Sequence, residues 1–236
     1  MKERPILFSG EMVRAILDGR KTMTRRVVKP QPPEWCTRTG VSELTPPCAW
    51  EFRGTFGDEG PACKFIRCPY LPVSETRLWV RETWGQSCDK DSCGLVCYAA
   101  DRTAYHILCD CDGEGDAVGH GWKHYAPLTA WEHIRWRPSI HMPRWASRIT
   151  LQLKSVRAER LQEITADDIA AEGFPPDDGP PRDGTRLTSA GRRLVFAELW
   201  DSLNARRGFS WDQNPWVWVV RFKQADEAEL GKKGKR

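Results

Sequence analysis

GEMVRAILDGRKTMTRRVV, residues 10–28, changes its period halfway along, and that change decides the fold. In the first half, Met12 with Ile16 and Val13 with Leu17 repeat at the four-residue spacing of one helical face. Gly19 follows the last helical position, where a left-handed residue is least costly for glycine. From Thr22 to Val28 the pattern is that of a strand, and PILFS at 5–9 reads as another short strand before the helix. Alternation with period two puts Thr22, Thr24 and Arg26 on one face. Lys21 sits in the turn before the strand and is free to lean over that face. A lysine beside a hydroxyl acts as a base only when desolvation or neighbouring positive charge lowers its pKa. Arg20, Arg25 and Arg26 supply such charge, and a Thr–Lys pair is an accepted alternative to a histidine triad for acyl chemistry. The competing reading is an exposed turn whose arginines bind carboxylates and whose threonines merely suit a strand.

Outward from this stretch, residues 29–75 are broken by prolines and read as loops. RLWVRETW at 77–84 reads as a strand, and 85–125 reads as an inserted excursion rich in cysteine and histidine. WRPSIH at 136–141 is extended, with a short turn or helix at MPRWAS. RITLQLKSVRAERL at 148–161 alternates as a long strand. Thr165 caps a helix that runs to Glu172, with Asp167 and Asp168 in its first turn, where the helix dipole favours carboxylates. GFPPDDGPPRDG at 173–184 is a loop. Residues 188–204 form a helix with Phe196, Leu199, Trp200 and Leu203 on one face. WVWVVRF at 216–222 is the last strand, followed by a charged tail. Separated strands with few helices and no βαβ rhythm point to an α+β fold built on a small mixed β-barrel with flanking helices. The expected organisation is a single domain over 1–225, with loop insertions at about 29–75 and 85–125, and a basic, mobile tail at 226–236.

Hydrophobic residues make up 40% and charged residues 29% of the 236 positions, an ordinary globular balance that excludes a disordered chain. No apolar run is long enough to cross a bilayer, and the first residues lack the pattern of a secretory signal, so the expected compartment is the cytoplasm. The net charge of +4 is matched by Lys232, Lys233, Lys235 and Arg236 alone, so nucleic-acid affinity elsewhere must come from local patches. No Walker loop, dinucleotide glycine fingerprint or HExxH is present, which removes nucleotide-hydrolysing and zincin chemistry.

The nine cysteines include Cys88, Cys93, Cys97, Cys109 and Cys111, with His106 nearby. None of these spacings forms the tight C-x2-C knuckle of a structural zinc site, so the expectation is reduced thiols, no metal and no cofactor. Cys88, Cys93, Cys109 and Cys111 are the ligands a zinc would use there. Of the 12 tryptophans, Trp200, Trp216 and Trp218 take core-like positions, as does Trp79. Trp84, Trp145 and Trp211 fall at element ends, where a stacking surface is conceivable. Arg77, Arg81 and Glu82 alternate with tryptophans in a way that suits either base stacking or a packed strand. His141, alone, reads as structural.

The run ILDGRKTMTRRV resembles the opening motif of the ASCH domain family, a branch of the PUA-like β-barrels. The wider string ERPILFSGEMVRAILDGRKTMTRRVVKPQP, together with RLWVRETW, WRPSIHMPRWASRI and NPWVWVVRF, is similar to ASCH-type proteins of phages and prophages. The likeness covers most of the chain apart from the cysteine-rich excursion and the tail. It implies a PUA-like barrel whose polar pocket accepts a nucleobase, within nucleic acid (RNA first) or as a modified nucleoside. Small bacterial members of the family are amidohydrolases that remove an acetyl group from the exocyclic amine of acetylated cytidine, while other members bind RNA without chemistry. Carried over residue by residue, the catalytic lysine, threonine and glutamate fall on Lys21, Thr24 and Glu172, the last in TADDIAAEG. Gly19, Arg20, Thr22 and Arg26 become ligand-binding positions. The chain departs from those compact enzymes in being more than twice their size and in carrying Arg25 where they tend to be apolar. Shared pocket residues on a shared fold do not fix the reaction, so the expectation is a nucleic-acid or modified-base binding protein, with the amidohydrolase as its alternative.

Overall fold

The structure, a computed structural model, describes residues 2–41, 49–55, 61–89, 92–106, 123–125, 134–174 and 188–225. In chain order the elements are β1 (Lys2–Leu7), α1 (Gly10–Leu17), β2 (Met23–Val27), β3 (Cys36–Val41), β4 (Ala49–Thr55) and β5 (Pro61–Arg67). Then follow β6 (Thr76–Arg81), β7 (Trp84–Asp89), β8 (Ser92–Tyr98), β9 (Thr103–His106), β10 (Lys123–Tyr125) and β11 (Thr150–Arg160). The chain continues with α2 (Ala166–Ala171), α3 (Ser189–Asn204) and β12 (Trp216–Gln224). The fold is mixed α+β, mostly strands. It divides into two compact units, the first drawn mainly from Asp18–Arg77 and from Leu151 onward, the second from Glu3–Leu17 and Leu78–Thr150.

In the first unit, β12 is the central strand, antiparallel to β11 on one side and to β2 on the other. The period of two in WVWVV sorts its side chains. Val217 and Val219 join Met23 of β2 under the two helices, where Leu161, Ile169, Phe196 and Trp200 complete a buried cluster. Trp216 and Trp218 face the other way and meet β4: Phe52 lies 5.3 Å from Trp216 and Trp50 lies 5.8 Å from Trp218, ring centre to ring centre. Each such buried side chain contributes about 1.5–3 kcal/mol relative to exposure. The sheet is therefore buried on both faces over this stretch, which explains why its last strand opens with five apolar residues in a row.

Helix α2 begins as its sequence predicts, with the Thr165 hydroxyl accepting from the Asp168 N–H. On α3 the buried line is Arg192, Phe196 and Trp200 at four-residue spacing. Leu203, expected on that face, is 52% exposed, because the line runs towards the start of the helix rather than its end.

The second unit contains the antiparallel sheet β10-β9-β8-β7, and β1 lying beside β6. Trp84, Val96, Tyr98, Met142 and Ala146 form its buried centre. Arg148 is the polar counterpart of that centre. It grips buried Glu82 with two hydrogen bonds of 3.0 Å, reaches Asp101 at 2.7 Å, and lies 4.1 Å from the centre of the Tyr98 ring. None of the strand orders described in either unit closes on itself, so the described residues form open sheets and no closed barrel.

Two expectations are corrected. Residues 29–75 are not simply loop: they hold the antiparallel sheet β3-β4-β5. The prolines stand between strands or, at Pro61, on the first residue of one, where no ladder hydrogen bond is lost. The excursion at 85–125 likewise contains β7, β8, β9 and β10. The loop read at 173–184 and the tail at 226–236 lie largely or wholly outside the described residues. Among those described, no helix is long and apolar enough to cross a membrane.

Candidate functional site

Gly19 takes φ +73°, the left-handed turn expected after α1, and delivers Lys21 into the first unit. There Lys21 and Glu172 form an isolated antiparallel bridge, with the neighbouring Thr22 N–H bonding the Ala171 carbonyl at 2.9 Å. The backbone contact fixes where the side chains go. Lys21 Nζ donates to the Glu172 carboxylate at 2.7 Å and to its backbone carbonyl at 2.8 Å. The lysine side chain is 0% exposed and the glutamate 6%.

Arg25 is the second cation on the same carboxylate. Its guanidinium reaches Asp168 at 2.6 Å, Glu159 at 2.7 Å and Glu172 at 3.4 Å, while the side chain is 1% exposed. Asp168 and Glu172 stand four residues apart and so share one face of α2 and its cap. Arg157 and Glu159 share one face of β11, and Arg157 ties Glu159 to Asp168 with two bonds of 2.7 Å. Arg221 adds a longer contact to Asp168, 3.4 Å. Four cations thus surround three carboxylates. Buried charges are tolerable only when paired and hydrogen-bonded, and here each carboxylate has at least two cationic partners.

The electrostatics follow from the packing. Burial pushes the Lys21 amine below the ordinary lysine value, the Glu172 charge and hydrogen bond oppose this, and Arg26 and Arg25 reinforce it. For Asp168 burial alone would raise the pKa, but Arg25, Arg157 and Arg221 hold it below the usual carboxylate range. The arrangement can therefore hold a lysine that surrenders its proton more readily than usual, beside an acid able to orient it.

Of the positions singled out from sequence, Lys21 and Glu172 are brought together. Thr24 is buried on β2 opposite Val220, and no hydrogen bond joins its hydroxyl to either partner among the described residues. Alternation turns it to the face opposite Arg25. Arg26 is half-buried on that same face, paired across to Trp218. Arg20 is exposed, ion-paired to Asp18 at 2.8 Å and bonded to the Gly173 carbonyl at 2.8 Å. Thr22 is exposed and contributes its backbone to the strand contacts with Ala171 and Phe222. Cys88 and Cys93 stand on β7 and β8, while Cys109 and Cys111 lie outside the described residues. Among the described residues no group of three or more His, Cys, Asp and Glu side chains is placed to hold a metal. His141 is exposed.

Sequence reasoning treated Arg25 as a departure from a pattern, and it proves to be the hub of the ion-pair network. Glu159, Arg157 and Arg221 were not singled out at all. The available signal was the two-residue spacing of Arg157 and Glu159 and the four-residue spacing of Asp168 and Glu172, read together with an arginine-rich strand.

The class defined by fold and site is a mixed α+β protein with a buried lysine–carboxylate cluster. No family model, curated protein or solved structure matches the chain.

Proposed function

We propose that the protein is an ASCH-type module of the phage and prophage kind that binds a modified nucleobase or nucleic acid at the Lys21 cluster. The observation that supports this is the 2.7 Å contact between Lys21 and Glu172, the two positions that the resemblance pairs from opposite ends of the sequence. In this reading the PUA-like architecture belongs to the first unit, and Arg26, on the sheet face opposite Arg25, acts through its charge on Lys21 rather than by touching the ligand. Arg157 and Arg221, with side chains 37% and 53% exposed, form the rim by which an anionic group approaches.

The amidohydrolase reading draws its support from the lowered pKa of the Lys21 amine. Thr24 would attack the acetyl carbonyl while Lys21 takes the hydroxyl proton. The carbon–nitrogen bond then breaks as the leaving amine is protonated, and water releases acetate from the threonine ester. This reading stands second because the Thr24 hydroxyl is not hydrogen-bonded to Lys21.

The experiment is direct. Acetylated cytidine is incubated with the full chain and with Lys21→Ala, acetate release is followed by chromatography, and binding is titrated by calorimetry. Binding without turnover, lost in Lys21→Ala, supports the module; turnover lost in that variant supports the enzyme. Neither binding nor turnover, for the nucleoside or for an oligonucleotide carrying it, removes both readings.

A further inference from the structure

The second unit carries a feature that the Lys21 cluster does not use. Residues 135–138, RWRP, run exposed along Trp84 and Gly85. Trp84 and Arg137 exchange two backbone hydrogen bonds, of 2.7 and 3.2 Å. Gly85 lets this segment lie close, since a Cβ there would come within 2.4 Å of Ile134 and 3.5 Å of the Trp136 ring. The Arg137 guanidinium lies 5.1 Å from the centre of the Trp84 ring, and Trp145 meets that ring edge-on at 5.8 Å. Trp84 is thus a buried support, with Arg137 and Trp145 held against it.

What this support presents is unusual for a solvated surface. Trp145 is 49% exposed, although tryptophan is among the costliest side chains to leave in water. Arg135 and Arg137 are exposed and form no ion pair among the described residues. Arg144, next to Trp145, is paired with Glu3 at 2.7 Å. A fixed indole face beside guanidinium groups that form no ion pair among the described residues matches a polymer that offers π-faces and phosphates in alternation. A protein partner also uses Trp and Arg, but two nearby arginines without a carboxylate among the described residues suit phosphates better.

We infer that the surface formed by Arg135, Arg137 and Trp145 binds single-stranded nucleic acid, with a base stacking on the Trp145 indole and phosphates held by the two arginines. This surface is separate from the Lys21 cluster and does not depend on the reading given to it.

The test uses the full chain and labelled 15-nucleotide single strands of RNA and of DNA, with duplex DNA as comparison, followed by fluorescence anisotropy across a salt series. Single strands bind more tightly than duplex, and the better of RNA and DNA identifies the natural strand. Trp145→Ala weakens single-strand binding about tenfold or more. Arg137→Gln flattens the dependence of log K on log salt by about 0.7. Trp145→Leu, which keeps an apolar side chain but no stacking face, gives the same loss and guards against misfolding. Affinity and salt slope unchanged in all three variants overturn the proposal, as does a preference for duplex that ignores Trp145. Acetylated cytidine binding is measured on the same variants. If that binding persists while single strands are ignored, this surface fails alone. If strands bind through Trp145 while acetylated cytidine is ignored, only the reading of the Lys21 cluster fails.

Discussion

Lys21 donates to Glu172 at 2.7 Å across 151 positions of chain, and neither side chain is more than 6% exposed. A buried ion pair is not in itself a source of stability, because desolvation takes back most of the Coulomb gain. It is instead a strong constraint: once one partner is buried, the other must be present. The pair therefore specifies how α2 docks on the turn before β2, whatever chemistry the site performs.

Removing one partner should be far worse than removing both. Lys21→Met leaves Glu172 with Arg25 at 3.4 Å as its remaining cation and is expected to cost about 3–5 kcal/mol. The double variant Lys21→Met with Glu172→Leu should recover much of that loss. Urea denaturation of the four proteins of the cycle checks this, and additive losses would remove the coupling.

The acid limb of stability should depend on Asp168. Its folded pKa lies below the unfolded value of about 3.9. A depressed carboxylate contributes stability that is fully present above the unfolded value and is lost as pH falls through the folded one. Asp168→Asn is therefore expected to be less stable than the parent near neutrality, with the difference shrinking below about pH 4. Denaturation midpoints measured from pH 7 down to pH 2 test it.

Arg148 should not be replaceable by lysine. Its fork bonds Glu82 twice at 3.0 Å, and the same group reaches Asp101 and Thr103 at 2.7 Å. A lysine supplies neither the paired geometry nor the planar contact with Tyr98. Arg148→Lys is expected to cost about 2–3 kcal/mol, and Arg148→Met more, since buried Glu82 is then unpaired. Thermal unfolding of both variants gives the comparison.

Gly19 offers a test of backbone alone. It sits at φ +73°, and a Cβ there would meet no atom within 4 Å. Gly19→Ala should lose about 1 kcal/mol through left-handed strain only, and Gly19→Asn less. A larger loss for alanine would mean that the turn does more than set direction.

The helix–glycine–strand passage, the cap at Thr165 and the apolar last strand were legible because each rests on a local rule. The Lys21–Glu172 pair was legible only through resemblance, since no local rule joins residues so far apart. The sheet β3-β4-β5 was obscured by prolines, which punctuate without saying what lies between them. Its one clear signal was AWEFRG at 49–54, where Trp50 and Phe52 alternate with Glu51 and Arg53. Arg25 as a hub was not legible either. Its role depends on β2 lying against both β12 and α2, and that is a property of topology rather than of neighbours in sequence.

The first unit takes its lysine and its carboxylates from either side of Leu78–Thr150, the larger segment of the second. On a translating ribosome, Lys21 emerges 151 residues before Glu172, an interval on the order of ten seconds at ordinary elongation rates. The second unit is complete by Thr150, so it can settle while its neighbour still waits for its acids. A nascent chain halted shortly after that point would expose an unneutralised cationic strand, which is where a chaperone or a premature anionic ligand would find it.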